Sequence, residues 1–236
     1  MSNASSIETL LSPSYQHSLV FLSYVISVIG AFVALTSARK IVRADGRINI
    51  VSTLVTGIAL GGVGVWSMHF VGMLALRLDM GTAYSMAETL VSLVAAVGAS
   101  SLALAYVAKA PQDLGRILIA GALLGLGVAV MHYLGMAGMR FGGFIRWSSP
   151  VVIVSVFIAV FAATAALWLA FNTRTLANRV VAAAIMGVAV CAMHYTGMAA
   201  ADFTERATFP ADLTGALEIN LIGTIAIISA GLALVL

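Results

Sequence analysis

Three of the four histidines in this sequence occupy the same position of a repeated pattern. His69, His132 and His194 are spaced by 63 and 62 residues, and each lies in a segment of the form Met-His-[Phe/Tyr]-x-Gly-Met. The three segments read MHFVGM, MHYLGM and MHYTGM. Self-similarity at a fixed period indicates one supersecondary unit that is used several times. We therefore expect the chemistry of the protein at these three positions.

Each of these histidines has one methionine directly before it and another four residues after it. On an α-helix, positions i and i+4 share a face, whereas adjacent residues lie about 100° apart around the axis. If the three helices are neighbours, imidazole nitrogens and thioether sulfurs converge on one site. The candidate metal ligands are His69, His132 and His194, with Met73, Met136 and Met198 on the same faces and Met68, Met131 and Met193 at an oblique angle.

This set of donors, nitrogen and soft sulfur without a carboxylate, favours copper and especially Cu(I). Zinc accepts three histidines but gains little from methionine. Haem on an axial histidine or a His/Met pair is an alternative that leaves one histidine unused, and a proton relay through the histidines is another. A lone membrane histidine can also be a link between helices, and methionine a filler of apolar cores. The threefold recurrence favours a shared site, and the methionines favour copper.

Composition places the chain in lipid. Hydrophobic residues make up 61% and charged residues 9%, against roughly 25% charged in ordinary soluble domains. A membrane-spanning helix needs about 20 mostly apolar residues. The sequence predicts an all-α membrane protein, a seven-transmembrane-helix bundle with three repeated helix-pair units that carry the motifs. The expected spans are 18–38, 50–75, 86–108, 116–139, 150–171, 179–200 and 216–236; residues 1–17 form an extracytoplasmic N-terminal segment, and 18–236 the membrane domain.

The distribution of basic residues predicts the orientation. Of the 12 lysines and arginines, 8 follow the first, third and fifth spans: Arg39, Lys40, Arg43, Arg47, Lys109, Arg116, Arg174 and Arg179. Because basic loops stay in the cytoplasm, the N-terminus is expected in the periplasm and the C-terminus in the cytoplasm. All three motifs then lie at similar depth in the outer half of the bilayer. The basic residues are dispersed between apolar runs, so no nucleic-acid partner is expected.

Glycines recur at fixed offsets from the histidines. Gly62, Gly125 and Gly187 come seven residues before, and Gly72, Gly135 and Gly197 three residues after. Small residues let transmembrane backbones approach closely, so we expect these glycines at helix contacts. The second and fourth spans add the small-xxx-small pairs Gly57/Gly61 and Gly121/Gly125.

Other conspicuous side chains are expected to have structural roles. Tyr133, Tyr195 and Phe70 follow the histidines and read as interface aromatics. The tryptophans read as interface anchors or core, Cys191 as core packing and His17 as solvated. Asp202, eight residues after His194, reads as a loop acid and is left out of the site.

The three motifs on alternate helices of a seven-helix domain resemble the bacterial MHYT sensor domain. Met193-His194-Tyr195-Thr196 reproduces the name-giving motif, whereas the first copy has Phe70 and Val71 and the second Leu134, which argues against a ligand role at those slots. The resemblance implies an integral sensor of the bacterial inner membrane that binds copper through the motif histidines and methionines. It implies a diatomic gas ligand (O2, CO or NO) and a cytoplasmic output domain that makes or degrades cyclic di-GMP, or a histidine kinase.

The resulting hypothesis is a membrane sensory input domain that binds copper and responds to a diatomic gas or to redox state. This segment is not expected to be an enzyme itself. The chain is expected to continue beyond Leu236 to the output domain, and a homodimer is an expected assembly. A copper or small-solute transporter and a haem-binding membrane protein are the alternatives. A transport pathway needs polar groups on the cytoplasmic half as well, and the second, fourth and sixth spans are nearly devoid of ionisable groups before their histidines. The apolar segments also lack the nucleophile–base pair or carboxylate dyad of an enzyme.

Overall fold

A computed structural model describes residues 8–78, 80–206 and 215–233. Six helices in these ranges are long and apolar enough to cross a membrane, and a seventh apolar helix is shorter. The helices are α1 (His17–Lys40), α2 (Ile50–Ala75), α3 (Met86–Ala108), α4 (Leu114–Ala137), α5 (Ser149–Asn172), α6 (Leu176–Ala199) and α7 (Ile219–Ala233).

The predicted spans agree with these helices to within three residues at most ends of α1 to α6. The seventh predicted span, 216–236, corresponds to α7, which has 15 residues within the described part of the chain. Its crossing of the membrane stays a prediction, because residues 234–236 lie outside that part. Residues 1–7 of the predicted N-terminal segment also lie outside it. His17, which we expected before the first helix, is the exposed first residue of α1.

The three motif-bearing helices start with the same kind of cap. The side chains of Asn49, Asp113 and Thr175 each accept a hydrogen bond from the backbone N–H three residues on, at 3.2, 3.2 and 3.1 Å. Each bond satisfies one of the N–H groups that the first turn of a helix leaves without a partner. The caps therefore fix where α2, α4 and α6 begin, at one end of the bundle.

Helices α1 to α6 form a ring in chain order, since each contacts the next and α6 returns to α1. Helix α7 lies outside the ring against α2 and α1. Large apolar side chains point outward; Phe161 is 78% exposed and Leu102 74%. The buried polar side chains are serines, threonines and the three motif histidines. An apolar exterior around a polar interior is the arrangement that lipid favours, so this is a membrane protein.

Eight short strands among the described residues, absent from the all-α prediction, cover the end of the bundle at which α2, α4 and α6 finish. They form the sheets β1-β7-β6, β2-β3 and β5-β4-β8, all antiparallel. The bounds are Glu8–Leu10, Ser14–Tyr15, Leu76–Arg77, Ala83–Ser85, Met139–Arg140, Gly143–Trp147, Ala201–Arg206 and Ala216–Glu218. Six of them have only two or three residues, too few to show the alternation of apolar and polar residues that identifies a strand in a sequence.

Helix α2 is not a regular α-helix. Its middle, Ile58–Ser67, is π-helical, between α-helical turns at Ile50–Gly57 and Met68–Ala75. A π-helical segment accommodates an extra residue within the same helix length, so the register changes along it. This shift explains which glycines of α2 contact α3.

The prediction for Gly62 is corrected by that shift. A Cβ on Gly61 would overlap the backbone carbonyl of Ala96, whereas a Cβ on Gly62 would meet only side chains at 3.6 Å or more. In α4, Gly125 packs against the backbone of Ala159 and Val160. Gly61 in α2 thus has the role that Gly125 has in α4, although Gly62 is its counterpart in the sequence repeat.

Candidate metal centre

The three motif histidines meet at the centre of the ring. His69 of α2, His132 of α4 and His194 of α6 turn their Nδ1 atoms toward one another, at 3.1, 3.2 and 3.3 Å. Their ring centroids are 5.0, 5.0 and 5.1 Å apart, and their planes are nearly perpendicular. All three side chains are fully buried or nearly so. Each lies five or six residues before the end of its helix, so the three have equal depth.

Hydrogen bonds among the three Nδ1 atoms cannot satisfy all three contacts at once. A neutral imidazole nitrogen either carries a hydrogen and donates, or has a lone pair and accepts. With three nitrogens in mutual contact, at least one pair consists of two donors or two acceptors. Two like groups at hydrogen-bond distance in a buried site repel each other, and such sites are costly to leave unpaired. Three lone pairs that face one point are instead the arrangement that a cation binds.

The dimensions of the triangle fit a single ion. With sides of 3.1 to 3.3 Å, the corners lie about 1.9 Å from the centre, close to the roughly 2.0–2.1 Å of a zinc–imidazole bond. Within the described ranges, these histidines form the one cluster of at least three histidine, cysteine or acidic side chains with metal-binding proximity. The donor set is therefore three imidazole nitrogens with no carboxylate.

The opposite edge of each imidazole rests on a glycine of the next motif. Each Nε2 atom is buried without a hydrogen-bond partner. A Cβ on Gly135 would overlap Nε2 of His69; Gly197 has the same relation to His132, and Gly72 to His194. The glycine three residues after each motif histidine thus contacts the imidazole ring of a neighbouring motif. This role is more specific than the helix packing that we predicted. The three contacts run in one sense around the ring.

The six motif methionines are all buried, with at most 2% of each exposed. Two of them line different cavities. Met193 faces a cavity among α2, α4, α5 and α6, and Met198 faces one beneath the N-terminal segment, beside Tyr15 and Tyr195. The structure therefore unites the histidines, while coordination by Met68, Met73, Met131, Met136, Met193 or Met198 stays a prediction.

Three serines on the odd-numbered helices form hydrogen bonds with side chains of the motif helices. Ser23, Ser92 and Ser155 each donate to the carbonyl three residues earlier, at 2.7, 2.7 and 2.8 Å. Each also bonds a side chain of a motif helix. Tyr195 bonds Ser23 at 3.0 Å, and Tyr133 bonds Ser155 at 2.5 Å.

The first repeat uses a different donor for the same bond. Phe70 has no hydroxyl, and the indole N–H of Trp66 donates to Ser92 at 3.1 Å. The tyrosine hydroxyls thus bond serines rather than imidazoles. Sequence reasoning missed these serines, although Ser92 and Ser155 are separated by the same 63 residues as His69 and His132.

A further polar contact joins the site to α7. The hydroxyl of Ser67, two residues before His69, lies 2.9 Å from the hydroxyl of Ser229. Each hydroxyl also has a carbonyl acceptor in its own helix, Gly62 at 3.0 Å for Ser67 and Ala226 at 2.7 Å for Ser229. Since each hydroxyl has one proton, one serine donates to its carbonyl and the other donates to its serine partner. Since Ser67 ends the π-helical segment, this bond links the irregular part of α2 directly to the last helix.

The site is thus a cluster of three buried histidines at the core of a bundle of apolar helices. The chain belongs to the MHYT family: the family model described as bacterial signalling protein N terminal repeat matches residues 62–120, 125–183 and 187–236. Each match begins at the glycine seven residues before a motif histidine. The repeat read from the histidines is thus the family repeat.

Several curated relatives are signalling proteins. The chain is 41% identical over 199 residues to the bifunctional diguanylate cyclase/cyclic di-GMP phosphodiesterase MucR of Pseudomonas aeruginosa. The aligned residues cover 82% of this chain and 29% of MucR. It is 31% identical to the cyclic di-GMP phosphodiesterase NbdA of the same species, over 87% of this chain and 27% of that protein. The signaling protein YkoW of Bacillus subtilis is 30% identical, over 80% and 24%. The chain thus spans less than a third of these relatives. No solved structure matches it.

Proposed function

We propose that this chain is a membrane sensory input domain that holds one copper ion at His69, His132 and His194 and responds to a diatomic gas (O2, CO or NO) or to redox state. The observation that carries the proposal is the triangle of Nδ1 atoms. It is buried, equidistant and unable to satisfy itself by hydrogen bonding. A cation at its centre would remove that conflict.

Copper suits this donor set better than the other common metals. Imidazole is a ligand of both copper and zinc, and soft sulfur from nearby methionines would favour Cu(I). Zinc sites usually recruit a thiolate or carboxylate, and the described cluster contains neither. Bound copper would supply a redox-active centre able to take a further small ligand. The protein supplies the fixed imidazoles, the glycine seats behind them and the exclusion of water.

The signal is proposed to leave through α7. The Ser67–Ser229 hydrogen bond joins the motif helix to α7, the helix nearest the C-terminal end of the described chain. The relatives MucR and NbdA are named for the turnover of cyclic di-GMP. We propose that this domain likewise regulates a cytoplasmic output domain of that kind, with its strand-covered end in the periplasm.

Metal analysis tests the centre. The protein is purified without added metal, and copper, zinc and iron are measured in the wild type and in His69→Ala, His132→Ala and His194→Ala variants. We expect one copper per chain in the wild type and at least a tenfold lower copper content in each variant. His17→Ala is the matched control, because His17 is exposed and lies outside the cluster; its copper content should equal that of the wild type.

The alternatives give different results in the same experiment. Copper retained in all three triad variants would exclude these imidazoles as necessary ligands. Stoichiometric zinc, or iron with a Soret band, would reassign the centre. Accumulation of copper inside proteoliposomes would favour a transporter.

Coupling to the output is tested in cells that express the complete gene product. The cyclic di-GMP level is measured after exposure to O2, CO or NO and after a shift in redox state. A change in the wild type that is lost in His132→Ala, with unchanged protein abundance, is expected. An equal response of both proteins would contradict the proposed sensor role while leaving the metal site intact.

A further inference from the structure

A second cavity, distinct from the histidine centre, opens between α2, α3 and α7. Its volume is about 660 Å³, within the roughly 300–1,000 Å³ of small-molecule sites. Gly62 and Trp66 of α2, Val94 and Gly98 of α3, and Ile222 and Ile225 of α7 are among the residues that line it. It therefore separates the last helix from the ring over part of its length.

The surface of this cavity is almost entirely apolar. The polar side chains nearby keep their oxygens or nitrogens away from it: Ser67 bonds Ser229, Trp66 bonds Ser92, and the Thr89 hydroxyl is buried beneath the wall. A water molecule needs two to four polar partners to be held in a cavity, and this wall does not offer them. An apolar occupant therefore suits this cavity better than water does.

The cavity faces lipid. Leu90, Val94 and Ile225 on its rim are 52%, 70% and 49% exposed, and all three belong to apolar helices of the membrane domain. An apolar recess that opens sideways from such helices is in contact with acyl chains rather than with water. Its walls gain dispersion contacts and lose an unfilled void when a chain enters.

We propose that this cavity binds one acyl chain of a membrane phospholipid, wedged between α7 and the pair α2/α3. The site is independent of the metal, because none of the motif histidines lines it. It shares Ser67 and Ser229 with the contact between the motif helix and α7. An inserted chain therefore sets the separation of α7 from α2 next to their hydrogen bond, and it makes the position of α7 sensitive to the lipid.

Two glycines allow a matched pair of variants. Gly98 lines the cavity, Gly231 lies on α7 away from it, and a Cβ on either would meet no atom within 4 Å. Gly98→Phe places a ring in the recess, whereas Gly231→Phe adds the same ring to the outer face of α7. Both changes replace glycine in a helix by a better helix former, so they should affect folding alike.

Photolabelling in liposomes tests the proposal. The protein is reconstituted in phosphatidylcholine that contains a small fraction of the same lipid with a diazirine-bearing acyl chain, irradiated and analysed by peptide mass spectrometry. We expect label concentrated on the α3 segment around Val94 and the α7 segment around Ile225. The lipid-facing part of α5 around Phe161, which is 78% exposed, reports ordinary boundary lipid.

The variants decide whether the labelled chain is bound in the recess. Label at Val94 and Ile225 should fall several-fold in Gly98→Phe and stay at the wild-type level in Gly231→Phe, while label at Phe161 stays constant in both. Label spread evenly over α3, α5 and α7 in the wild type would overturn the proposal, as would a Gly98→Phe profile equal to that of Gly231→Phe. Thermal unfolding and copper content of both variants verify that the fold is retained.

Discussion

At the scale of single residues, the protein combines a metal-like geometry with an unusual lack of hydrogen-bond support. The Nδ1 atoms of His69, His132 and His194 face one another, and their Nε2 atoms have no partner in the described structure. Metal-bound histidines commonly donate their other N–H to a carboxylate or carbonyl. Here a glycine holds each ring by shape instead, so orientation depends on steric contact.

Because each of these glycines contacts the histidine of one particular neighbouring motif, we expect the effects of substituting that glycine and that histidine on stability to be coupled. Gly135→Ala should push the His69 ring from its place, lower the free energy of unfolding by about 1–3 kcal/mol and reduce copper content. Because Gly135 contacts the ring of His69, the same change in a His69→Ala background should lower the free energy of unfolding much less. Thermal unfolding of both single variants and the double variant measures the interaction.

A third background provides the control for that cycle. The three atoms nearest to a Cβ on Gly135 all belong to His69, so Gly135→Ala should cost the same with and without His194→Ala. Equal couplings of Gly135 to both histidines would contradict the one-way order of contacts around the ring.

The tyrosine hydroxyls predict a second effect, this time on stability alone. Tyr133→Phe and Tyr195→Phe remove the bonds to Ser155 and Ser23, and each should lower the free energy of unfolding by about 0.6–1 kcal/mol. Copper content should not change, because Phe70 stands at this position in the first repeat. Tyr106→Phe, at an exposed position on α3, is the control. Loss of copper in either variant would assign the hydroxyl to the centre.

At the scale of helices, the π-helical segment decides how α2 fits the ring. The register changes within this segment, so that Gly61 meets the backbone of Ala96 in α3. Its last residue, Ser67, also bonds α7. Helices α4 and α6 are α-helical throughout. The irregularity is thus confined to the motif helix that contacts both the histidine centre and α7.

Neighbouring glycines test the register. Gly61→Ala would drive a methyl group into the Ala96 carbonyl, and we expect the free energy of unfolding to fall by about 1–3 kcal/mol. Gly62→Ala has room and should be neutral or raise stability by up to about 1 kcal/mol. Thermal denaturation in one detergent compares them. The reverse order would indicate a regular α-helix in which Gly62 packs, as the sequence repeat alone predicts.

At the scale of the whole molecule, the two ends of the helix bundle differ in charge and in strand content. The basic residues Arg39, Lys40, Arg43 and Arg47 cluster around the connection of α1 to α2, while all eight described strands cover the opposite end. The histidine centre lies nearer the strand-covered end. If the basic end faces the cytoplasm, the centre lies close to the periplasm.

Cysteine labelling tests that orientation. The chain has one natural cysteine, so Cys191→Ser gives a background free of cysteine. Ser12→Cys lies at the strand-covered end and Asp45→Cys at the basic end, and both positions are exposed. A membrane-impermeant maleimide should label Ser12→Cys in intact cells and Asp45→Cys after permeabilisation only. The opposite pattern would invert the topology and place the centre near the cytoplasm.

The sequence by itself determined the membrane class, the positions of six apolar helices and the three histidines that meet. These features follow from the composition of local segments and from the repeat of the histidine motif every 62 or 63 residues. Both can be recognised in the sequence without knowing which helices meet. Equal depth of His69, His132 and His194 followed from topology alone, because α2, α4 and α6 run in the same direction. The caps at Asn49, Asp113 and Thr175 also depend on neighbouring residues, although sequence reasoning did not predict them.

Tertiary structure decided everything that depends on which surfaces meet. Only the fold shows that Gly135 contacts the ring of His69, that Gly61 rather than Gly62 meets the backbone of α3, and that Ser67 reaches Ser229. The strands and the acyl-chain cavity were also absent from the sequence reading. The physical reason is that steric fit and helix register arise between segments far apart in the chain, so no local pattern encodes them.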